Sequence, residues 1–333
     1  SLYEKMNIPM SLLAPSLALL ADGKFHTDKE ISQVLGIPCK RVSEVLKQIL
    51  DPTIDLEIVN HKDFRILGGL ELLDAALIQN KLGQTQRLLA QLDVLPLVDS
   101  TNNYLLEKIK YAGNYAVFAE QQTAGRGQFD RQWITSFAKN ICLSLLWHFS
   151  NQANNLAGLS LVVGIAVAKA LEQYGLKNIQ LKWPNDIVHQ EKKLGGILIE
   201  SRSINTKTYT AVIGIGLNLY EPPTSSQIID QAITDVYSLQ GSPPQRNLLA
   251  ALILKNLLNL LFEFQSKEFA YFMPDWQRYD SLLNKPIKLL SPLGSRVGIA
   301  RGVNTQGQLC VAIEKKIYYF DSGAIRVKLK SSG

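Results

Sequence analysis

Lys182-Trp183-Pro184-Asn185-Asp186 stands between a short apolar, strand-like run, Ile179 and Leu181, and a basic segment ending in two glycines, Lys193-Leu194-Gly195-Gly196. A cation, a large ring, a rigid turn former and two polar capping groups share one step of chain. Pro184 fixes its own φ and holds Trp183 to extended geometry, a costly arrangement for a loop that only connects. The stretch reads as an anion-handling corner of an active site or as an ordinary strand-to-turn with a half-buried tryptophan, and its surroundings decide between them.

Those surroundings are rich in strands. Tyr115 to Glu120, Asn140 to Phe149, Leu198 to Arg202 after a bend at Gly195-Gly196, and Thr208 to Leu219 all carry strand patterns, and Leu156 to Tyr174 is an apolar-periodic helix. Strands outnumber helices and their connections have hairpin length. The expectation is an α+β domain with a mixed, largely antiparallel sheet covered by helices, in contrast to a doubly wound parallel sheet.

Toward the N-terminus, Ser11 to Leu20 reads as a first helix, and Thr27 with Glu30 three positions on forms a capping box for a second that runs to Leu35. Gly36-Ile37-Pro38 makes a tight turn into a third helix, Lys40 to Leu50, with Val42, Val45, Leu46 and Ile49 on its inner face. Its outer face shows Lys40, Arg41, Ser43 and Lys47, with Glu44 among them. A hairpin over Leu56 to Leu67 completes a winged helix-turn-helix order, so these four residues are candidates for DNA contact. Leu70 to Leu92 reads as a helical connector. After an amphipathic helix at Leu248 to Phe264, short strands at Pro286 to Leu290, Arg296 to Val303, Leu309 to Ile313 and Lys316 to Phe320 spell a small β-barrel. The expected spans are 1–68, a linker helix 69–92, a catalytic domain 93–282 and a C-terminal domain 283–333.

Composition narrows the class. Over 333 residues, 46% hydrophobic and 19% charged residues exclude a disordered or low-complexity chain, and a net charge of +6 suits an anionic partner without naming one. Cys39, Cys142 and Cys310 are far apart in no CxxC arrangement, which argues against a disulfide framework or structural zinc and favours a reducing cytoplasm. No signal peptide is read in Ser1 to Ala14. Lys255, Asn256, Asn259 and Glu263 interrupt the longest apolar run, so a buried helix is expected there and no membrane partner.

The chemistry concentrates at three strand ends. Thr123 to Trp133 follows a strand and places Arg126 between Gly125 and Gly127: glycines let backbone N–H groups wrap an anion, and a guanidinium binds carboxylate or phosphate through two parallel hydrogen bonds. It lacks the endings of a P-loop and of a dinucleotide fingerprint. Lys182 and Lys193 add compact cations, and Gly214-Ile215-Gly216-Leu217-Asn218 ends another strand with a side chain that both donates and accepts. Ser100-Thr101-Asn102 precedes a helix and would serve equally as its cap. Together these residues suit a pocket for a polyanion and an apolar small molecule.

Taken in order, Ser100-Thr101-Asn102, Gly125-Arg126-Gly127 with Arg131 and Trp133, Lys182 to Asp186, Lys193 to Gly196 and Gly214 to Asn218 resemble the motifs of the bifunctional biotin protein ligases that also repress the biotin operon. The resemblance implies an N-terminal winged helix-turn-helix, a ligase domain of the biotin/lipoate type and an SH3-like C-terminal domain. It implies biotinylation of a lysine on biotin carboxyl carrier protein through biotinyl-5'-AMP, with MgATP as co-substrate. Lys182 and Arg126 match the catalytic positions. Ser100, Thr101, Asn102, Gln122, Arg126, Gly127, Gln128, Lys182 and Gly195 match biotin contacts. Gly125, Arg131, Trp133, Asn185, Asp186, Lys193 and Asn218 match ATP contacts, with magnesium carried by the nucleotide near Asp186 and no dedicated metal site. Operator DNA and a homodimer favoured by the adenylate are the further partners implied. Gln128, followed by Phe129 and Asp130, stands where the repressor type commonly has another arginine, which lowers the positive charge of the loop. A lipoate-type ligase, and a transcription factor that senses a small ligand without ligase activity, are the alternatives.

Overall fold

A computed structural model describes residues 10–50, 54–129, 131–150, 156–205, 208–220, 231–291 and 294–329. Readings attached to residues 1–9, Asp130 and residues 330–333 lie outside these.

The first module contains α1 (Leu13–Leu20), β1 (His26–Thr27), α2 (Asp28–Leu35), α3 (Val42–Ile49), β2 (Leu56–Val59) and β3 (Asp63–Ile66), with sheet order β1-β3-β2. Its boundaries follow local chemistry. Thr27 Oγ1 accepts from the Glu30 amide at 3.2 Å while the Glu30 carboxylate accepts from the Thr27 amide at 2.8 Å, and Gly36 at φ 65° ends α2. The third helix starts later than its apolar pattern suggests, because Cys39 to Arg41 form a 3-10 turn after Pro38. Val42, Val45, Leu46 and Ile49 face inward onto Ile31, Leu35, Leu17, Leu20 and Phe64. Phe137 and Ala138, from the loop before the strand that begins at Asn140, complete this core. Truncating a fully buried phenylalanine costs about 3–5 kcal/mol, so that insertion binds the module to the rest of the chain.

The expected helix over Leu70 to Leu92 is shorter: α4 (Ala75–Leu82), a 3-10 turn at Gly83–Leu88, then a strand, β4 (Gln91–Val98). β4 lies at the sheet edge, where Pro96 is tolerated. The central sheet continues with β5 (Tyr115–Gln122), β6 (Asn140–Ser150), β7 (Gln180–Lys182), β8 (Asp186–His189), β9 (Lys192–Asn205) and β10 (Thr208–Asn218), in the order β4-β5-β6-β10-β9-β8-β7. Only β4 and β5 are parallel, so the sheet is mixed and largely antiparallel. The bend expected at Gly195-Gly196 is absent. Both glycines lie within β9, opposite Leu217 and Gly216 of β10.

Among the described residues five further helices accompany the sheet: α5 (Thr101–Glu107), α6 (Leu159–Tyr174), α7 (Val236–Gln240), α8 (Arg246–Phe264) and α9 (Met273–Tyr279). α8 is long and apolar enough to cross a membrane, but 67% of its apolar window is buried against the core. Arg246 at its start is itself buried, 2.6 Å from the equally buried Glu120 of β5 in a contact whose angle is not that of a hydrogen bond. Arg246 also donates to the Glu71 and Asn140 carbonyls, and the Glu71 carboxylate accepts from the amides of Arg246 and Asn247. Removing one partner of such a pair costs about 3–5 kcal/mol, and here it also releases the segment entering from the N-terminal module.

The C-terminal strands β11 (Pro286–Ser291), β12 (Gly294–Val303), β13 (Leu309–Ile313), β14 (Lys316–Phe320) and β15 (Arg326–Leu329) form an antiparallel sheet of order β14-β13-β12-β11-β15. Among the described residues β14 and β15 do not pair, so the sheet is open where its pattern suggests a closed barrel. Ile287, Leu289, Ala300, Leu309, Val311 and Val327 merge into the large core. Trp183 donates its indole N–H to the Gly307 carbonyl at 3.0 Å, tying the opening stretch to this sheet.

Candidate active site

An open cleft lies against the central sheet, lined among others by Ser100, Thr101, Asn102, Gln122, Arg126 and Lys193. Ser100 stands at the N-cap of α5, which Thr101 and Asn102 begin, and all three are buried. Ser100 makes no side-chain cap hydrogen bond, so capping does not account for the triplet. Gln122 Oε1 instead accepts from the Thr101 amide at 2.8 Å and lies 3.0 Å from its hydroxyl. The fully buried Ser144 Oγ lies 2.7 Å from Thr101 Oγ1 and 2.6 Å from Asn102 Oδ1. A hydroxyl has one proton and an amide oxygen only accepts, so Ser144 donates to Asn102. The Asn102 amide nitrogen then donates to the Leu198 carbonyl at 3.3 Å and to Glu200 Oε2 at 3.0 Å. This fixes the direction of a polar chain beneath one wall of the cleft.

The glycine loop is folded back on itself as a tight hairpin. Gly127 N–H donates to the Arg131 carbonyl at 2.7 Å and Trp133 N–H to the Gly125 carbonyl at 2.8 Å. That turn lays the Trp133 indole on Gly216, where any Cβ would overlap the ring, and leaves its N–H buried with no partner among the described residues. An unpaired buried donor is costly unless a ligand meets it. Gly214 leaves comparable room for the Asn102 amide. Phe129, at φ 57°, lies under the Arg326 guanidinium, 4.7 Å from its ring centre.

The cations of the site are held differently. Arg126 pairs with Glu200 at 2.9 Å, and Lys193 pairs with Asp186 at 2.6 Å. Lys182, the last residue of β7, lies opposite Asp186 in the β7–β8 pairing yet makes no ion pair among the described residues. Burial holds its ammonium below the usual lysine range, and nearby Lys193, Arg131 and Lys328 act in the same direction, against the attraction of Asp186.

The expected residues therefore separate. Ser100, Thr101, Asn102, Gln122, Arg126, Gly127 and Gln128 line the cleft, as do Trp133, Asn185 and Lys193. Lys182, Gly195, Gly125, Arg131, Asp186 and Asn218 lie outside its lining. Gly195 and Gly125 serve close backbone approaches, to the carbonyls of Gly216 and Trp133. Asn218 is buried between Asn140 and the Thr234 carbonyl, and Asn185 donates to the Ile197 carbonyl across to β9. Leu143, Ile197 and Leu198 of the lining, and Ser144 and Glu200 behind it, carry no site motif in the sequence. A serine and a glutamate at single positions of apolar strands are the only signals they give in the sequence. Lys40, Arg41 and Lys47 are exposed on the first module and Ser43 is half-buried.

The family model described as Biotin/lipoate A/B protein ligase family matches residues 94–218. The chain is 31% identical to the bifunctional ligase/repressor BirA of Escherichia coli strain K12 over 327 residues, covering 96% of this chain and 97% of that protein. It is 25% identical to the bifunctional ligase/repressor BirA of Bacillus subtilis strain 168, covering 90% and 94%. Its structure is similar to that of the biotin protein ligase from Aquifex aeolicus in complex with biotin and ATP, with a TM-score of 0.62 and 28% identity over 72% of this chain and 100% of that one. A mixed sheet with its cleft at the glycine loop, together with similarity along nearly the whole length of a ligase/repressor, shows that the chain belongs to the biotin/lipoate A/B protein ligase family.

Proposed function

We propose that this protein joins biotin to a lysine of biotin carboxyl carrier protein and, when loaded, represses biotin synthesis genes. The observation that carries the reading is a single cleft in which Thr101 and Asn102, joined beneath its wall through Ser144 and suited to a polar head group, adjoin Arg126, Lys193 and the unpaired Trp133 N–H, suited to a phosphate-bearing ligand. The biotin carboxylate attacks the α-phosphate of ATP, expelling pyrophosphate. The acceptor amine then attacks the acyl carbon of biotinyl-5'-AMP, expelling AMP. The first step brings two anions together, so cations bound more strongly as the bond forms lower its barrier. Lys182 and Arg126 are assigned this role, with Lys182 the half-buried ammonium that no carboxylate of the described residues claims. Ser100, Thr101, Asn102, Gln122, Gly127, Gln128 and Gly195 are assigned to the biotin side. Gly125, Arg131, Trp133, Asn185, Asp186, Lys193 and Asn218 are assigned to the nucleotide side.

Among the described residues no group of three or more His, Cys, Asp or Glu side chains is placed to hold a metal ion. We read magnesium as arriving on the nucleotide's phosphates, where Asp186, the carboxylate paired with Lys193, would be the nearby group and charge neutralisation the chemistry supplied. We read residues 1–68 as a winged helix-turn-helix contacting operator DNA through Lys40, Arg41, Ser43 and Lys47. Residues 69–92 are read as linker, 93–282 as catalytic domain and 283–333 as an SH3-like domain, in a protein that dimerises when it holds the adenylate. All three cysteines are unpaired, which suits a reducing cytoplasm, and burial pushes the Cys142 thiol up to about 12. Incubation with MgATP, biotin and the carrier domain of acetyl-CoA carboxylase is expected to add one biotin to one lysine, seen by intact-mass spectrometry. Addition of lipoate and not biotin would reassign the enzyme, and no addition of either would favour a ligand-sensing repressor.

A further inference from the structure

The geometry points to Glu200 as a positioning residue for Arg126, an inference that rests on the assignment of this cleft to phosphate-bearing ligands. A guanidinium has five N–H groups, arranged in edges that each present two parallel donors. Nη1 of Arg126 spends both of its protons, on Asn103 Oδ1 at 2.8 Å and on Glu200 Oε2 at 3.1 Å. Nη2 spends one, on Glu200 Oε1 at 2.9 Å. Nε–H and the second Nη2–H have no partner among the described residues. These two donors form the side edge of the guanidinium, the geometry that grips one further oxyanion with two hydrogen bonds. Glu200 thus holds the far edge and leaves the near edge to a ligand in the cleft that Arg126 lines.

The carboxylate is itself held. Glu200 Oε2 accepts from the Asn102 amide, whose other end is fixed by Ser144, so Arg126 is aligned through Glu200 with the side chains assigned to biotin. Without Glu200 the arginine side chain, 43% exposed, keeps only the single contact to Asn103 among the described residues, about which the guanidinium can turn toward solvent. Its charge would remain while its direction would be lost, and oxyanion recognition by arginine depends on direction.

A double-mutant cycle separates this role from a structural one. ATP affinity is measured by calorimetry, and biotin-dependent ATP–pyrophosphate exchange is measured in parallel, on the full chain, Glu200→Gln, Arg126→Ala and the double variant. Glu200→Gln keeps the shape but not the paired acceptor, and is expected to weaken ATP binding roughly 10- to 100-fold, the size of effect seen when outer supports of a site are removed. In the Arg126→Ala background the same change is expected to matter less than about twofold. Glu200→Asp, charged but one methylene short, is expected to resemble Glu200→Gln. An equal loss from Glu200→Gln in both backgrounds, or none in either, would overturn the inference, as would full recovery with aspartate. ATP binding that follows the cycle in a protein showing no biotin-dependent exchange would leave Glu200 in its role and remove the ligase reading.

Discussion

Removing the Ser144 hydroxyl tests whether the polar chain under the cleft holds the head-group residues in place. Ser144→Ala takes away one oxygen from a fully buried site and leaves the 3% exposed Asn102 with an amide oxygen that has lost its donor. Thr101 keeps Gln122, so the loss falls on Asn102. A buried acceptor left unsatisfied costs about 1–3 kcal/mol. On the proposed assignment of Asn102 to biotin, the ligand holds the amide and the full cost is expected in the bound protein, whereas in the free protein rotation of Asn102 relieves part of it. Each kcal/mol moves the midpoint of a domain of this size by roughly 2–4 °C, so the bound form should melt about 2–12 °C lower than the bound parent. The assay is thermal unfolding with saturating biotin and without it. A bound midpoint unchanged by Ser144→Ala would refute the reasoning, because Asn102 would then not depend on Ser144.

Burial lowers the Lys182 pKa, so its charge is lost as pH rises through a value below the usual lysine range, and the alkaline limb of the exchange rate should fall there. The unfolded chain holds that proton more strongly, so the same titration makes the fold more stable as pH rises. Lys182→Arg, whose guanidinium does not titrate, should remove the limb whatever its effect on rate; a limb that persists assigns it to another group. Lys40→Ala and Arg41→Ala should each weaken operator binding and reduce its salt slope by about one, measured by titration at several salt concentrations with biotin and ATP present. Binding indifferent to both ligand and salt would leave the first module without a DNA role.

What the sequence made legible was local. Thr27 with Glu30 and the αL turn at Gly36 are decided within a few residues, and the structure has both. The apolar face of α3 follows from helical periodicity in the same way. β4 was hidden because Gln91, Asp93 and Pro96 dilute its pattern and its parallel partner, β5, lies beyond α5. Gly195 and Gly196 resembled a bend, yet they lie in a strand where small residues admit the Gly216 carbonyl and the Lys193 side chain. Glycine and charge marked the loop around Arg126, which lines the cleft, and the strand end at Lys182, which lies outside that lining. Ser144 and Glu200 act through partners far away in sequence, 43 and 74 residues from Thr101 and Arg126, and a single strand pattern carries no trace of such pairing. Phe137 gave the same silence, since its burial depends on a module that ends long before it.

Biotin-dependent exchange of radiolabelled pyrophosphate into ATP tests the central claim most directly, on the unsubstituted chain and on Lys182→Ala. Exchange is expected to require biotin and not to be supported by lipoate, and its rate to fall by orders of magnitude in Lys182→Ala while the far-UV circular dichroism stays that of the parent. Exchange without biotin, or a near-normal rate in Lys182→Ala, would contradict that claim.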